Sequence, residues 1–394
     1  MKDVLKTGPK KDVDVFIPSS DLTLQQIRDK IPREYFQRDT VRSMSYLTFD
    51  LIQVAITCYV MSNIMLPCVS VLTSFINSSL PSPASLAIST LLKFFVWNVF
   101  WFVQGLNGTA LWVLAHECGH RGFSPHSGLN NTVGLIIHSA LLVPYHSWRI
   151  SHALHHKHTN HLTKDTVFVP HKMDQITELT EECPLVMFCK MVNMFLFGWP
   201  TYLLFNVSGQ DYGRRANHFE PSSPIFRPGD GRDIVISDLG VLSALSAIVV
   251  SCVKFGAFNV LCWYGIPYLW VNFWLVYITY MQHTDIRIPH YSYEEWTFVR
   301  GAIAAVDRDY GSVLNTWLHH INDSHVVHHL FSDVPFYNAI EISRKYIKSI
   351  LGHTYVEDKQ PLLQALCKTW GTCRYVVPSE NICCFYGFNN KSKS

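Results

Sequence analysis

The chain has 394 residues, 48% of them apolar and only 16% charged, against about 25% charged in ordinary soluble domains. Thirty-two Lys and Arg face 30 Asp and Glu, for a net charge of +2. This excludes a disordered chain and a globally basic nucleic-acid binder, and points to a multi-span membrane protein.

The first 50 residues are polar and charged, which predicts no cleavable signal peptide. From Leu51 to Leu92 there is no Asp, Glu, Lys or Arg. That run is too long for one crossing of a ~30 Å core, which takes about 20 residues. Pro81 and Pro83 divide it, so we expect spans near 51–71 and 86–110, joined by the uncharged polar stretch 72–84. Lys93 lies close enough to the start of the second span to snorkel. Residues 132–145 and 185–207 are apolar but short or interrupted, and read as interfacial or re-entrant helices. A second long apolar block predicts spans near 236–257 and 260–281, with a turn around 254–259. Residues 1–45 hold nine Lys or Arg, whereas 72–84 hold none. The positive-inside rule then puts the N-terminus in the cytosol, and four crossings return the C-terminus there. The expected division is a cytosolic segment 1–45, a membrane domain 46–375 and a tail 376–394. Eleven cysteines form no CxxC pair, so neither a zinc ribbon nor a redox motif is present and free thiols are expected.

None of the 20 histidines precedes residue 116. Three clusters stand out: His116 and His120; His152, His155 and His156; and His325, His328 and His329. Spacings of three and four put each set on one helix face. Imidazole is the commonest metal ligand among side chains. His116-Glu117-x-x-His120 alone also fits a zinc protease, with Glu117 as base. That reading leaves the six histidines of the other clusters unused. Eight imidazoles are too many for one zinc and suit two metals. A histidine-lined metal transporter would want ligands within the spans, which hold almost none.

The order HxxxH, HxxHH, HxxHH around two hairpins resembles the membrane fatty acid desaturases, and among them the plant and fungal acyl-lipid Δ12 (oleate) enzymes. The resemblance is carried by Ala115–His120, Leu142–Trp148, Lys164–Pro170, Gly209–Gly213, Gln282–Asp285, Val306–Gly311 and His325–Phe331, and runs from about residue 20 to 375. It implies an all-α integral membrane protein of four transmembrane helices, with a cytosolic helical cap holding a histidine-ligated di-iron site. The implied ligands are His116, His120, His152, His155, His156, His325, His328 and His329. A ninth comes from upstream of the third cluster: His283, or alternatively His320. Glu117, Asp165, Asp285, Asp307 and Asp323 are candidates to orient ligand imidazoles through the second ring nitrogen. Removing hydrogen from an unactivated methylene pair is beyond any side chain acting as acid, base or nucleophile. Zinc has no redox chemistry for it. The resemblance therefore implies two non-haem irons, O2 as co-substrate and an oleoyl phospholipid in the membrane.

An apolar tunnel is expected, with Trp112, Tyr145, Trp148, Trp317 and Phe331 as candidate lining or, equally, as interfacial aromatics. No nucleotide fingerprint or haem-binding segment occurs, so electrons are expected from a separate cytochrome b5 and its NADH reductase. Arg28, Lys30, Arg33, Arg38 and Arg42 are candidates for its docking. The last residues, 385–394, resemble aromatic retrieval tails of the endoplasmic reticulum. A Δ15 or bifunctional desaturase, or a 12-hydroxylase, would share the same site, and whether two copies pair is left open.

Overall fold

In the computed structural model, residue 15 and residues 17–172, 183–376 and 381–386 are described. The tail expected to act in retrieval lies, beyond Tyr386, outside them. Four helices are long and apolar enough to cross a membrane: α2 (Thr40–Ser79), α3 (Ser82–Gly119), α7 (Gly231–Phe255) and α8 (Ala257–His283). Their outward faces are apolar, with Phe49, Ile56, Phe94, Phe95, Val249 and Val253 all exposed.

Each span is longer than expected from composition. The serines and threonines of 72–79 do not end α2, because Thr73, Ser74 and Ser78 hydrogen-bond to carbonyls of the preceding turn. The chain breaks only at Leu80–Pro81. At 38 residues, α3 is about 57 Å long, against a ~30 Å hydrocarbon core. It is therefore longer than one crossing needs. The second hairpin turns at Gly256, whose φ of 87° suits glycine.

Prolines inside the spans are accommodated in one way. A proline lacks the N–H that its helix needs and crowds the carbonyl four residues back. π-Turns at Met61–Met65 and Leu261–Gly265 directly precede the segments containing Pro67 and Pro267. The Trp101 indole donates to the Cys262 carbonyl within the second π-turn, at 2.8 Å.

Among the described residues, the remaining elements form a cap at one end of the four helices. α1 (Leu24–Arg28) precedes the spans. α4 (Ser127–Ala140) and α5 (Tyr145–His158) follow α3. α6 (Pro184–Phe205) lies along α8, with Leu185, Phe188, Phe197 and Phe205 facing outward. Its Pro200 frees the Leu196 carbonyl, which accepts from Asn272 Nδ2 of α8 at 3.3 Å. α9 (Phe298–Ile303), α10 (Ser312–Trp317), α11 (His325–Leu330), α12 (336–351) and α13 (Leu362–Thr372) complete the helices. Among short strand pairs, β1 (Val306–Arg308) runs parallel to β2 (Val356–Asp358). Arg308 is buried and reaches Asp285, Asp358 and the Met281 carbonyl, so it ties the end of α8 to the cap. The basic N-terminal residues are partly engaged: Arg28 lies over Phe36, Arg42 over Tyr337, and Arg38 pairs with Asp333.

α3 and α8 meet through absent side chains. A Cβ on Gly105 would stand 2.2 Å from Trp270 Cβ, and one on Gly108 2.7 Å from Val271 Cγ2. Small residues permit this close approach in membrane helices. Gly105→Ala therefore forces the two helices apart, and we expect it to cost about 1–3 kcal/mol. Gly128→Ala, with nothing within 4 Å, is the control. Thermal melts in detergent check this; equal melting temperatures would contradict the packing argument.

Candidate metal centre

Four elements deliver nine imidazoles to one place. The end of α3 supplies His116 and His120, the C-terminal half of α5 His152, His155 and His156, α11 His325, His328 and His329, and the last turn of α8 His283. One nitrogen from each of His116, His120, His152, His156 and His328 lies within 4.8 Å of the others, and His155, His283 and His329 form a second such set. His325 joins the second set, with its Nε2 2.9 Å from His283 Nε2 and 3.0 Å from His329 Nε2. The sets adjoin, since the rings of His156 and His329 stack at 4.1 Å.

Hydrogen bonding does not account for this packing. His152 Nε2 faces His116 Nε2 at 2.9 Å and His156 Nε2 at 3.2 Å, and His283 Nε2 faces both His155 and His325. A ring nitrogen either donates one proton or accepts on one lone pair. Chains of Nε2 atoms facing Nε2 atoms leave partners unmatched. Among the described residues, His120 Nε2 and His328 Nε2 are buried with no partner at all. A metal ion resolves both problems, because metal–nitrogen bonds of roughly 2.1 Å set neighbouring ligands about 3 Å apart. The protonation state agrees. Burial drives the pKa of His152, His156, His325, His328 and His329 well below the usual value, with neighbouring imidazoles adding to it. Burial takes His120 down to about 3. Neutral imidazole is the ligating form.

The rings are held from behind. His155 Nδ1 lies 2.6 Å from Asp165 Oδ1, and the same carboxylate accepts from the backbone of Asn160 and Thr166. His329 Nδ1 lies 3.1 Å from Thr159 Oγ1, which in turn donates to the His155 carbonyl. Glu117 accepts from the Phe336 N–H and stands between two ring nitrogens, 3.8 Å from His116 Nδ1 and 4.0 Å from His328 Nδ1. Both distances are beyond direct hydrogen bonds. Asp307 acts on the backbone: it accepts from Val326 N at 2.8 Å and from the Tyr355 hydroxyl, fixing the start of α11. Burial raises its pKa to about 7.

A cavity of about 480 Å³ leads to the imidazoles, with His116, His152, His155, His283 and His325 in its wall. The rest of the wall is mostly apolar, drawn from α3, α5, α6 and α8, from the loop around 167–171 and from the end of α13 with the residues that follow it. Its size falls in the range of small-molecule sites.

The sequence model of the family described as Fatty acid desaturase matches residues 94–360. The chain belongs to the fatty acid desaturase family. It is 42% identical to a Delta(12) fatty acid desaturase of Mortierella alpina over 93% of this chain and 90% of the relative. It is 41% identical to a Delta(12)-fatty-acid desaturase of Arabidopsis thaliana over 93% and 91%. An oleate hydroxylase of Claviceps purpurea is 39% identical over 92% of this chain and 78% of the relative.

In this desaturase-family chain, the eight box histidines and His283 come together. His320 stays outside: it and His319 adopt consecutive left-handed conformations, φ 57° and 53°. The His320 ring turns to Asp323 at 3.0 Å. Three expected orienting carboxylates, Asp285, Asp307 and Asp323, do not touch any of the nine rings. Asp285 is taken by Arg287 and Arg308, and Asp323 by His320 and Arg344. Of the five aromatics expected to line the tunnel, Trp112 and Trp148 do. Both also stack on cluster imidazoles, His116 and His152 respectively. Tyr145 instead fills the space over Gly134, Trp317 donates to Asn107, and Phe331 packs on Phe36. Sequence reasoning missed Thr159, three residues after His156. It also missed the wall contributed by α6, signalled only by an apolar run containing Gly198 and Pro200.

Asp165→Asn removes the charged acceptor behind His155, and we expect metal affinity to fall about 10–100-fold. Asp323→Asn, which contacts none of the nine rings, should leave it unchanged. Metal retained during chelator titration, read by elemental analysis, checks this. Equal retention in both variants would contradict the role given to Asp165.

Proposed function

We propose that this protein inserts a cis double bond at Δ12 of oleoyl chains carried on a membrane lipid, giving linoleoyl chains. The observation that carries the reading is the convergence of nine imidazoles beside an apolar cavity, five of them in its wall, and the Delta(12) names of its relatives support the position of the bond. The nine imidazoles would hold two non-haem irons: His116, His120, His152, His156 and His328 around one, and His155, His283, His325 and His329 around the other. Such a centre supplies the activation of O2 that removal of hydrogen from unactivated carbon requires. Overall, the methylene pair gives up two electrons and two protons, an external donor gives two more electrons, and solvent gives two protons. O2 leaves as two waters.

The chain's own residues do the rest. Trp112 and Trp148 close the cavity behind the cluster and exclude water from it. Asp165 and Thr159 hold the Nδ1 side of His155 and His329, so that each Nε2 faces inward. The apolar wall binds the acyl chain along its length and aligns one methylene pair with the imidazoles. The donor we assign is a cytochrome b5 reduced by its NADH reductase. The membrane we assign is that of the endoplasmic reticulum, with both termini cytosolic, residues 46–375 as the membrane domain, 1–45 as a cytosolic segment and 376–394 as a tail.

A second reading keeps the site and changes the outcome: a hydroxylase places oxygen on carbon where a desaturase takes a second hydrogen. The Claviceps purpurea relative favours keeping it in view. A zinc protease on His116 and His120 would leave the other imidazoles of the cluster without purpose.

Expression in a yeast that makes oleate but no polyunsaturated chains tests the proposal. Gas chromatography–mass spectrometry of total lipids should show linoleate, absent with His155→Ala and with His328→Ala. A hydroxylated product, or linolenate only when linoleate is fed, would overturn the Δ12 assignment.

A further inference from the structure

We propose that Gly198 of α6 sets the length of acyl chain that the cavity accepts; this rests on the desaturase reading above. The glycine is unlike those at the other helix contacts. Gly105, Gly108, Gly134 and Gly240 each leave less than 3 Å to a neighbouring atom for a Cβ, so packing explains them. A Cβ on Gly198 would meet Met194 Cγ and Val276 Cγ2 at 3.6 Å and Val276 Cγ1 at 3.7 Å, all ordinary contacts. The backbone is helical there and its φ is not positive. Glycine is a poorer helix former than alanine, so neither packing nor backbone conformation calls for it.

What the missing side chain leaves open is the cavity. Gly198, Met194 and Val276 all stand in its wall, and the added carbon would lie between the latter two. The position is close to the chemistry. Trp199 meets Trp112 edge-on at 5.8 Å, and Trp112 stacks on His116. Along α8, Val276 precedes His283 by two turns, about 10 Å. Gly198, Met194 and Val276 line the same cavity as the imidazoles, so a chain filling it would run along this stretch of wall. Bulk here shortens the usable cavity while leaving the metal site intact, and longer chains lose more than shorter ones.

The test uses Gly198→Ala and Gly198→Val in a yeast that supplies both sixteen-carbon palmitoleoyl and eighteen-carbon oleoyl chains, with Gly128→Ala as control. We expect the ratio of eighteen- to sixteen-carbon dienes to fall about tenfold in Gly198→Val, the discrimination that one methylene's space commonly confers. Gly198→Ala should show a smaller shift, and Gly128→Ala none. Melting temperatures of the purified Gly198 variants should match or exceed that of the wild type. An unchanged ratio, an equal loss on both chains, or lowered melting in both variants overturns the proposal while the desaturase reading stands. A wild-type chain that makes no diene would sink that reading and this proposal with it.

Discussion

Nine imidazoles, seven buried and two half-buried, face one another, and that arrangement is unfavourable without a cation between them. Burial lowers the pKa of His120, His152, His156, His325, His328 and His329, which favours the ligating form and leaves their lone pairs mutually exposed. The fold is organised around holding this arrangement. Each ligand-bearing element is anchored by contacts that do not involve the metal-facing nitrogens. Asp165 and Thr159 hold α5 and α11 rings from behind, Asp307 fixes the start of α11, and Arg308 secures the end of α8. A site built this way is preorganised, so binding metal does not require the protein to reorder.

The membrane scaffold serves the same end. Hydrocarbon offers no hydrogen bonds, so every backbone group freed by a proline needs a protein partner. Asn272 meets that need at Pro200 on α6, and Trp101 donates to a carbonyl in the π-turn before Pro267. These contacts also join helices: Asn272 links α8 to α6, and Trp101 links α3 to α8. Polar groups on the inner faces of the spans extend the linkage to the cap. Asp50 of α2 pairs with His319 at 2.7 Å, and Asn107 of α3 receives the Trp317 indole and donates to Thr57. The close α3–α8 crossing then brings the helix ends that carry His116, His120 and His283 to the same cluster.

Much of this was legible in the sequence, because the relevant signals are local. Charge-free runs mark spans, and three- and four-residue spacings mark a shared helix face. The box histidines needed nothing more. Helix lengths were less legible: serine and threonine at 72–79 suggest a loop, but in the helix they bond to their own backbone. Carboxylate roles were least legible. Asp165 and Asp285 look alike in the chain, and only the fold reveals that Arg308, 23 residues further on, claims Asp285 while Asp165 meets His155. That His283 lies in the cluster and His320 outside it goes with the left-handed backbone at 319–320, which no spacing rule expresses. The substrate wall from α6 was hidden for a similar reason: a helix with one face toward lipid and one toward the cavity is apolar all round, and periodicity does not separate the two.

The central claim is that these imidazoles hold two irons. Elemental analysis of the purified full-length chain, paired with Mössbauer spectroscopy of iron-57-enriched protein, tests it most directly. The account predicts about two irons per chain and a magnetically coupled pair, lost together with the protein's other metal-dependent signals on His155→Ala substitution. One zinc per chain with no iron, or a single uncoupled iron in an otherwise intact protein, would contradict it.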